Sequence, residues 1–187
     1  MSTGCLIAKQ VGEDNYKTIY CHTDGYLTHA GAVLVDFYNT EQKVDELLEV
    51  GDLSVLKERL YPNPLYTHTF DERQEGVSVA YGRDRGEQNA GAKVLCSEAF
   101  HVPVHVFEYV YVFDLEQQWK YARVPELELG LKDVKEDLQK EYAAYDMERP
   151  KGYYGDLYDE MAALLKMKTG QIEEPVETQG DVSEMSM

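Results

Sequence analysis

The sequence predicts an α+β fold: a mainly antiparallel sheet of about five strands, helices on one face, and an acidic helical extension at the C-terminus. Three observations lead there. Gly4–Gln10 and Tyr16–Cys21 are β-rich runs on either side of the turn Gly12-Glu13-Asp14-Asn15, which is the pattern of a hairpin. Val104–Phe113 is largely apolar on both of its alternating sets: Val104, Val106, Val110 and Val112 on one, broken only by Glu108, and His105, Phe107, Tyr109, Tyr111 and Phe113 on the other. That is the signature of a strand covered on both sides. Beyond Pro125 the apolar residues switch to three- and four-residue steps, the helical period.

In chain order, the stretch Tyr20–Gly31 follows the hairpin and leads into a helix over Ala30–Tyr38, with Val33, Leu34 and Phe37 on one face. Asn39-x-x-Gln42 has capping-box spacing and opens a second helix, whose stripe is Val44, Leu47 and Leu48 and whose stop is Gly51. Asp52 is placed to cap a third short helix carrying Leu53, Leu56 and Leu60. Pro62 and Pro64 make residues 61–75 a loop. Val77–Tyr81 reads as a strand, Lys93–Cys96 as a short strand or the approach to one, and Ser97–Phe100 as a helical turn. Trp119–Val124 reads as the hairpin partner of the central strand, reached through Asp114–Gln118. Leu127, Leu131, Val134, Leu138, Tyr142 and Tyr145 predict one long amphipathic helix to about Asp146. Pro150, Gly152 and Gly155 break it, and Asp156 caps a last helix with Leu157, Met161, Leu164 and Leu165. From Gly170 onward there are five acids and no Lys or Arg, which predicts disorder. The expected divisions are a core domain over 1–125, a helical extension over 126–169 and an acidic tail over 170–187.

A chain of 187 residues with 43% hydrophobic content can bury a core. Its 15 tyrosines suit either a thin core or an interaction surface. A net charge of −17 argues against nucleic-acid binding through a broad basic face, because that affinity comes from Lys and Arg neutralising phosphates. Acidity on this scale either steers the protein to a basic partner or keeps it in solution. Residues 126–187 hold 16 acidic and seven basic side chains, so the C-terminal third is the most acidic part. Cys5, Cys21 and Cys96 are too widely spaced for a zinc ribbon or a disulfide framework. The start of the chain carries no signal-peptide pattern and no run nears the ~18 apolar residues of a membrane span, so a soluble protein of a reducing cytoplasm is expected.

Two polar stretches carry the candidate chemistry. The first places His22, Asp24, Tyr26 and His29 at a strand-to-helix corner, where folds present polar groups to ligands. Imidazole with carboxylate can hold a divalent ion or relay protons. Asp24-Gly25 is equally the chemistry of a tight turn, and His29 of a helix start. The second stretch, Tyr81-Gly82-Arg83-Asp84-Arg85-Gly86-Glu87, has two arginines suited to gripping phosphate or carboxylate. A surface salt-bridge loop has the same composition. If the corners meet, His22, Asp24, His29, Arg83 and Glu87 form a set suited to phosphodiester cleavage, with Tyr26, Tyr81, Asp84 and Arg85 as binding contacts. No GxSxG, Walker A, HExxH or Rossmann fingerprint is present, so no cofactor or metal is specified. His105 is expected in the core, and His68 and His101 carry no local pattern.

At these two stretches the chain resembles a family of small acidic proteins from phages, prophages and conjugative elements of Gram-positive bacteria. The matching residues are Met1-Ser2-Thr3, Tyr20 to Tyr26 (Tyr-Cys-His-Thr-Asp-Gly-Tyr), Lys43 to Leu47, Gly51 to Leu56, and Tyr81 to Glu87, so the resemblance covers about residues 1–125. Thr23 stands where the family commonly has tryptophan, and Gly4 where it has arginine. The resemblance implies a mobile-element context, in which small acidic proteins are often anti-restriction or anti-CRISPR factors. The expectation is therefore a counter-defence protein that inhibits a host nuclease, a Cas9-type effector with its guide RNA. Glu136, Asp137, Glu141, Asp159 and Glu160 would engage that effector's basic surface. The alternatives are an enzyme cleaving a guide RNA or a signalling nucleotide with the two-corner set, and a regulatory or structural protein of element maintenance.

Overall fold

The computed structural model describes residues 2–101 and 106–144. In chain order its strands are β1 (Cys5–Gly12), β2 (Asn15–Thr23), β3 (Leu53–Val55), β4 (Val79–Ala80), β5 (Lys93–Leu95), β6 (Tyr109–Phe113), β7 (Trp119–Arg123) and β8 (Lys132–Asp133). The helices are α1 (Ala32–Phe37), α2 (Glu41–Val50), α3 (Tyr81–Arg85) and α4 (Val134–Ala144). The strands form one sheet in the order β4-β3-β2-β1-β6-β7-β8, with β5 pairing the first half of β2. Only β1–β6 and β2–β3 are parallel; the other pairs are antiparallel. The fold is thus α+β, with eight strands among the described residues rather than about five.

The hairpin β1–β2 forms as its alternation predicts, in direct register from Cys5↔Cys21 to Gln10↔Tyr16. Of the doubly apolar stretch Val104–Phe113, Tyr109–Phe113 becomes β6 and its two sets of side chains enter two cores; Val106, expected on the valine face, lies before the strand and is 46% exposed. Tyr111 and Phe113 join Cys5, Ile7, Ile19 and Cys21 under the helices, which add Leu34, Val44, Leu47, Leu48, Val134 and Leu138. Val110 and Val112 join Leu6, Ala8, Phe100, Phe107 and Val124 in a smaller cluster on the opposite face. Covering both faces of β1 and β6 removes their apolar side chains from water, the largest stabilising effect available to a sheet of this size.

Several expectations are corrected. Leu53 lies not in a helix but in β3, parallel to β2 and antiparallel to β4, with Leu53, Ser54 and Val55 all buried. A short apolar run fits a buried strand as well as a helical turn, and here sheet pairing on both sides decides it. The cap of α2 is Thr40, whose side chain accepts the Lys43 N–H, rather than Asn39. The helix expected over Ala30–Tyr38 opens earlier, as a π-helical turn over Leu27–Gly31, before α1. The stretch Tyr81–Glu87 is not a loop: Tyr81–Arg85 is α3, closed by Gly86 at φ 74°. The long C-terminal helix does not begin at Leu127. Val124–Leu129 is a 3₁₀ turn, Gly130 turns the chain at φ 91°, β8 pairs with β7, and Asp133 caps α4 by accepting the Glu136 N–H at 2.8 Å. Phe107 precedes β6, so it joins the Val110 cluster instead of the Tyr111 side. The expected roles of Val104, His105 and Tyr145, the last helix and the tail lie outside the described residues. Among those described, no helix is long and apolar enough to cross a membrane.

Tyr111 is fully buried, and its hydroxyl donates to the Gly25 carbonyl at 2.9 Å. A Cβ on Gly25 would meet Cys5 Cβ and the Gly4 carbonyl carbon, each at 2.8 Å. Tyr111→Phe is expected to cost about 1–3 kcal/mol, because the carbonyl loses its donor in a dry site. Gly25→Ala is expected to cost about 1–3 kcal/mol by overpacking. Urea unfolding midpoints measure both, and wild-type midpoints would show that this contact does not hold the fold.

Candidate functional site

The first corner is built around Asp24 and Gly25. Asp24 adopts the left-handed backbone at φ 57°, where a short polar residue is tolerated. The Gly25 N–H donates to Thr3 O at 2.8 Å, and the Ala30 N–H donates to Asp24 O at 3.2 Å. The chain therefore turns from β2 into the π-helical turn while clamped against the N-terminal strand. His22 is exposed and its Nδ1 lies 3.1 Å from the Tyr20 hydroxyl, on the face of β2 that carries the smaller cluster. His29 lies on the helix side of the sheet, beside the Tyr26 ring. Burial and the nearby Lys57 charge depress its pKa against the opposing pull of Asp24 and a hydrogen bond to the Leu56 backbone. Its Nε2 is buried without a hydrogen-bond partner among the described residues. His22 and His29 thus sit on opposite sides of the sheet. Among the described residues no group of three or more His, Cys, Asp or Glu side chains is arranged to hold a metal ion.

The second corner turns inward. Arg83 pairs with Asp84 through Nε–Oδ1 at 2.6 Å and Nη2–Oδ2 at 2.7 Å. It also donates to Leu60 O and Ser78 O. The Asp84 carboxylate is 2% exposed, accepts the Ala80 N–H at 2.8 Å and lies 3.3 Å from His68 Nε2. His68 Nδ1 accepts the Gln74 N–H at 3.0 Å, which puts the imidazole proton on Nε2, facing Asp84. Arg83 and Asp84 are therefore anchors for residues 60–84 rather than groups presented to a ligand. Arg85 lies over the Phe70 ring and pairs with Glu87 at 3.0 Å, an exposed pair of small energetic weight. Tyr81 stacks on Phe70 with ring centroids 5.9 Å apart.

The two corners do approach each other, through Asp52. Its carboxylate accepts the Tyr20 N–H at 2.7 Å, its carbonyl accepts the Tyr81 N–H at 3.0 Å, and its own N–H donates to Ala90 O at 2.6 Å. Burial raises the Asp52 carboxyl above its usual range, with the Tyr20 amide and Lys93 acting against that rise. What this brings together is Tyr20 and Tyr81. Among the described residues no hydrogen bond or ion pair joins His22, Asp24 or His29 to Arg83 or Glu87.

On α4, Glu136 and Asp137 both pair with Lys140, at 2.8 and 2.9 Å, and Asp137 also accepts the Tyr121 hydroxyl at 3.0 Å. Glu141 is exposed, and Asp159 and Glu160 lie outside the described residues. Sequence reasoning missed Asp52 as the bridge, and His68, Phe70 and Gln74 as the frame of the second corner. Their partners are distant in the chain, so no local spacing marks them. No known family model, curated protein or solved structure matches this chain.

Burial alone would raise the Asp84 carboxyl; the Arg83 hydrogen bonds and the Ala80 amide outweigh it and hold the carboxyl below its usual range. A depressed carboxyl contributes stability that is present above its unfolded pKa of about 3.9 and is lost as pH falls through the folded value. Asp84→Asn is expected to cost about 1.5–3 kcal/mol at neutral pH. The gap to wild type should close as the pH drops below about 4. Urea titrations over that range measure it, and a gap independent of pH would exclude a charge-assisted role.

Proposed function

We propose that the protein is a mobile-element counter-defence factor that acts stoichiometrically, by engaging a basic nucleic-acid-binding surface of a host nuclease of the Cas9 type. The observation that carries this reading is the charge: 35 acidic against 18 basic residues, net −17. Among the exposed acids are Glu13, Glu49, Asp71, Glu72, Glu75, Glu98, Glu116, Glu128 and Glu141. Complementary potential of this kind speeds encounter and orients docking on a surface built to hold phosphates. The placement of the candidate catalytic groups supports binding over turnover. Arg83 is committed to Asp84, Leu60 and Ser78, and the two histidines do not converge.

The test mixes the purified protein, over a range of ratios, with a guide-loaded Cas9-type effector and reads target cleavage and guide integrity on one denaturing gel. Inhibition at a one-to-one ratio with intact guide is the expected result, weakening between about 50 and 200 mM salt as the charges are screened. Shortened guide at small protein ratios would show an enzyme instead. Changing Glu136, Asp137, Glu141, Asp159 and Glu160 together to their amides should raise the inhibitory concentration about tenfold or more. Undiminished inhibition by that variant would remove these five carboxylates from the contact.

A further inference from the structure

Between β3 and β4 runs a long connection, Tyr61–Gly76, with no strand or helix of its own. Connections of this length inside a small domain are uncommon and usually functional. This one is tightly organised. Its stem is a parallel bridge between Arg59 and Val77: the Arg59 N–H donates to Gly76 O at 3.1 Å and the Ser78 N–H to Arg59 O at 2.8 Å. At its tip Asn63 folds the chain over, its side chain accepting the Leu65 N–H at 3.0 Å and its carbonyl the Tyr66 N–H at 3.2 Å. The Gln74 carboxamide closes the turn from below. Its Oε1 accepts the Asn63 N–H at 2.8 Å, and its Nε2 donates to Asn63 O and Tyr66 O, each at 3.0 Å. Pro62 and Pro64 stiffen the same turn.

All this order holds an apolar tip in water. Tyr61, Leu65 and Tyr66 are 56, 84 and 69% exposed. Three large side chains exposed on one short turn with a hydrogen-bonded backbone suit an interface anchor, since little backbone freedom is left to lose on binding. Acids outnumber bases in the segment by three to one, Asp71, Glu72 and Glu75 against Arg73. Asp71, Glu72 and Glu75 are exposed and form no ion pair among the described residues. The two basic residues of the segment and its stem turn back on it: Arg59 donates to Glu75 O, and Arg73 lies over Phe70 and donates to its carbonyl.

We propose that the turn 61–66 is the anchor by which this protein docks on its partner, inserting Tyr61, Leu65 and Tyr66 into an apolar cleft of a protein whose rim carries Lys and Arg. This rests on the stoichiometric-binding reading and adds where the contact is made. Nucleic acid does not fit as the occupant, because Asp71, Glu72 and Glu75 repel phosphates. A second copy of this chain brings another net −17 to the same place and is repelled likewise.

The test places a photoreactive benzophenone side chain at Tyr66 in one full-length variant and at Leu115 in another, Leu115 being an apolar residue 65% exposed on the β6–β7 turn. Both are expressed in a bacterial host carrying the defence system and irradiated, and the products are identified by mass spectrometry. The expected result is one basic protein joined to position 66, with yield about tenfold above position 115, as hot-spot geometry requires. In lysate, excess wild-type protein should compete that product away, whereas Leu65→Ser/Tyr66→Ser, folded by circular dichroism, should not. The absence of a product at 66, a product with nucleic acid or with a second copy, equal yield at 115, or equal competition by the double variant each overturns the anchor. The identity of the captured protein is a separate result. A basic protein that is no nuclease leaves the anchor standing and removes the counter-defence reading, while a nuclease captured equally from position 115 does the reverse.

Discussion

The hydroxyl of Tyr111 is buried in the core and donates to the carbonyl of Gly25. Everything at the first corner depends on that contact. Gly25 is pressed so closely on Cys5 and Gly4 that no side chain fits, and the turn it belongs to passes the chain from β2 into the helical layer. A buried hydroxyl needs a partner, and a buried turn carbonyl needs a donor; each resolves the other's desolvation. The tyrosine thereby fixes the corner against β6, and the helices α1 and α2 take their positions over the sheet from there.

The parts of the fold that were legible are those with strong local periodicity. The β1–β2 hairpin, the two-faced β6, the apolar stripe of α2 and the Ser97–Phe100 turn all follow from spacing and turn chemistry. The short buried run Leu53–Val55 was not legible. Its neighbours in the sheet, Cys21, Thr23, Val79 and Ala80, are remote in the chain, and they select a strand over the helix that local pattern allows. Residues 124–133 misled in the opposite way: leucines at helical steps continue across Gly130, whose positive φ breaks the path.

At the candidate site the residue types were read correctly and their partners were not. Arginines beside a carboxylate suggest a phosphate grip, but Arg83 faces Asp84 and two carbonyls and holds a loop. His68, without any local motif, proves to be a buried link between Gln74 and Asp84. Polar side chains in a sequence advertise capacity for hydrogen bonds, and only the fold says whether a ligand or the protein's own backbone takes them up.

The parallel bridge between Arg59 and Val77 holds the two ends of residues 60–76 side by side. To the sheet, this excursion leaves and returns at a single point. Because closure entropy grows only with the logarithm of length, the turn 61–66, which lies outside the contacts of His68 and Phe70 with α3, can be lengthened or exchanged while β3 and β4 keep their register. The exposed turn is therefore a replaceable module: its sequence can drift under pressure from whatever lies outside, with the folding core insulated from the change.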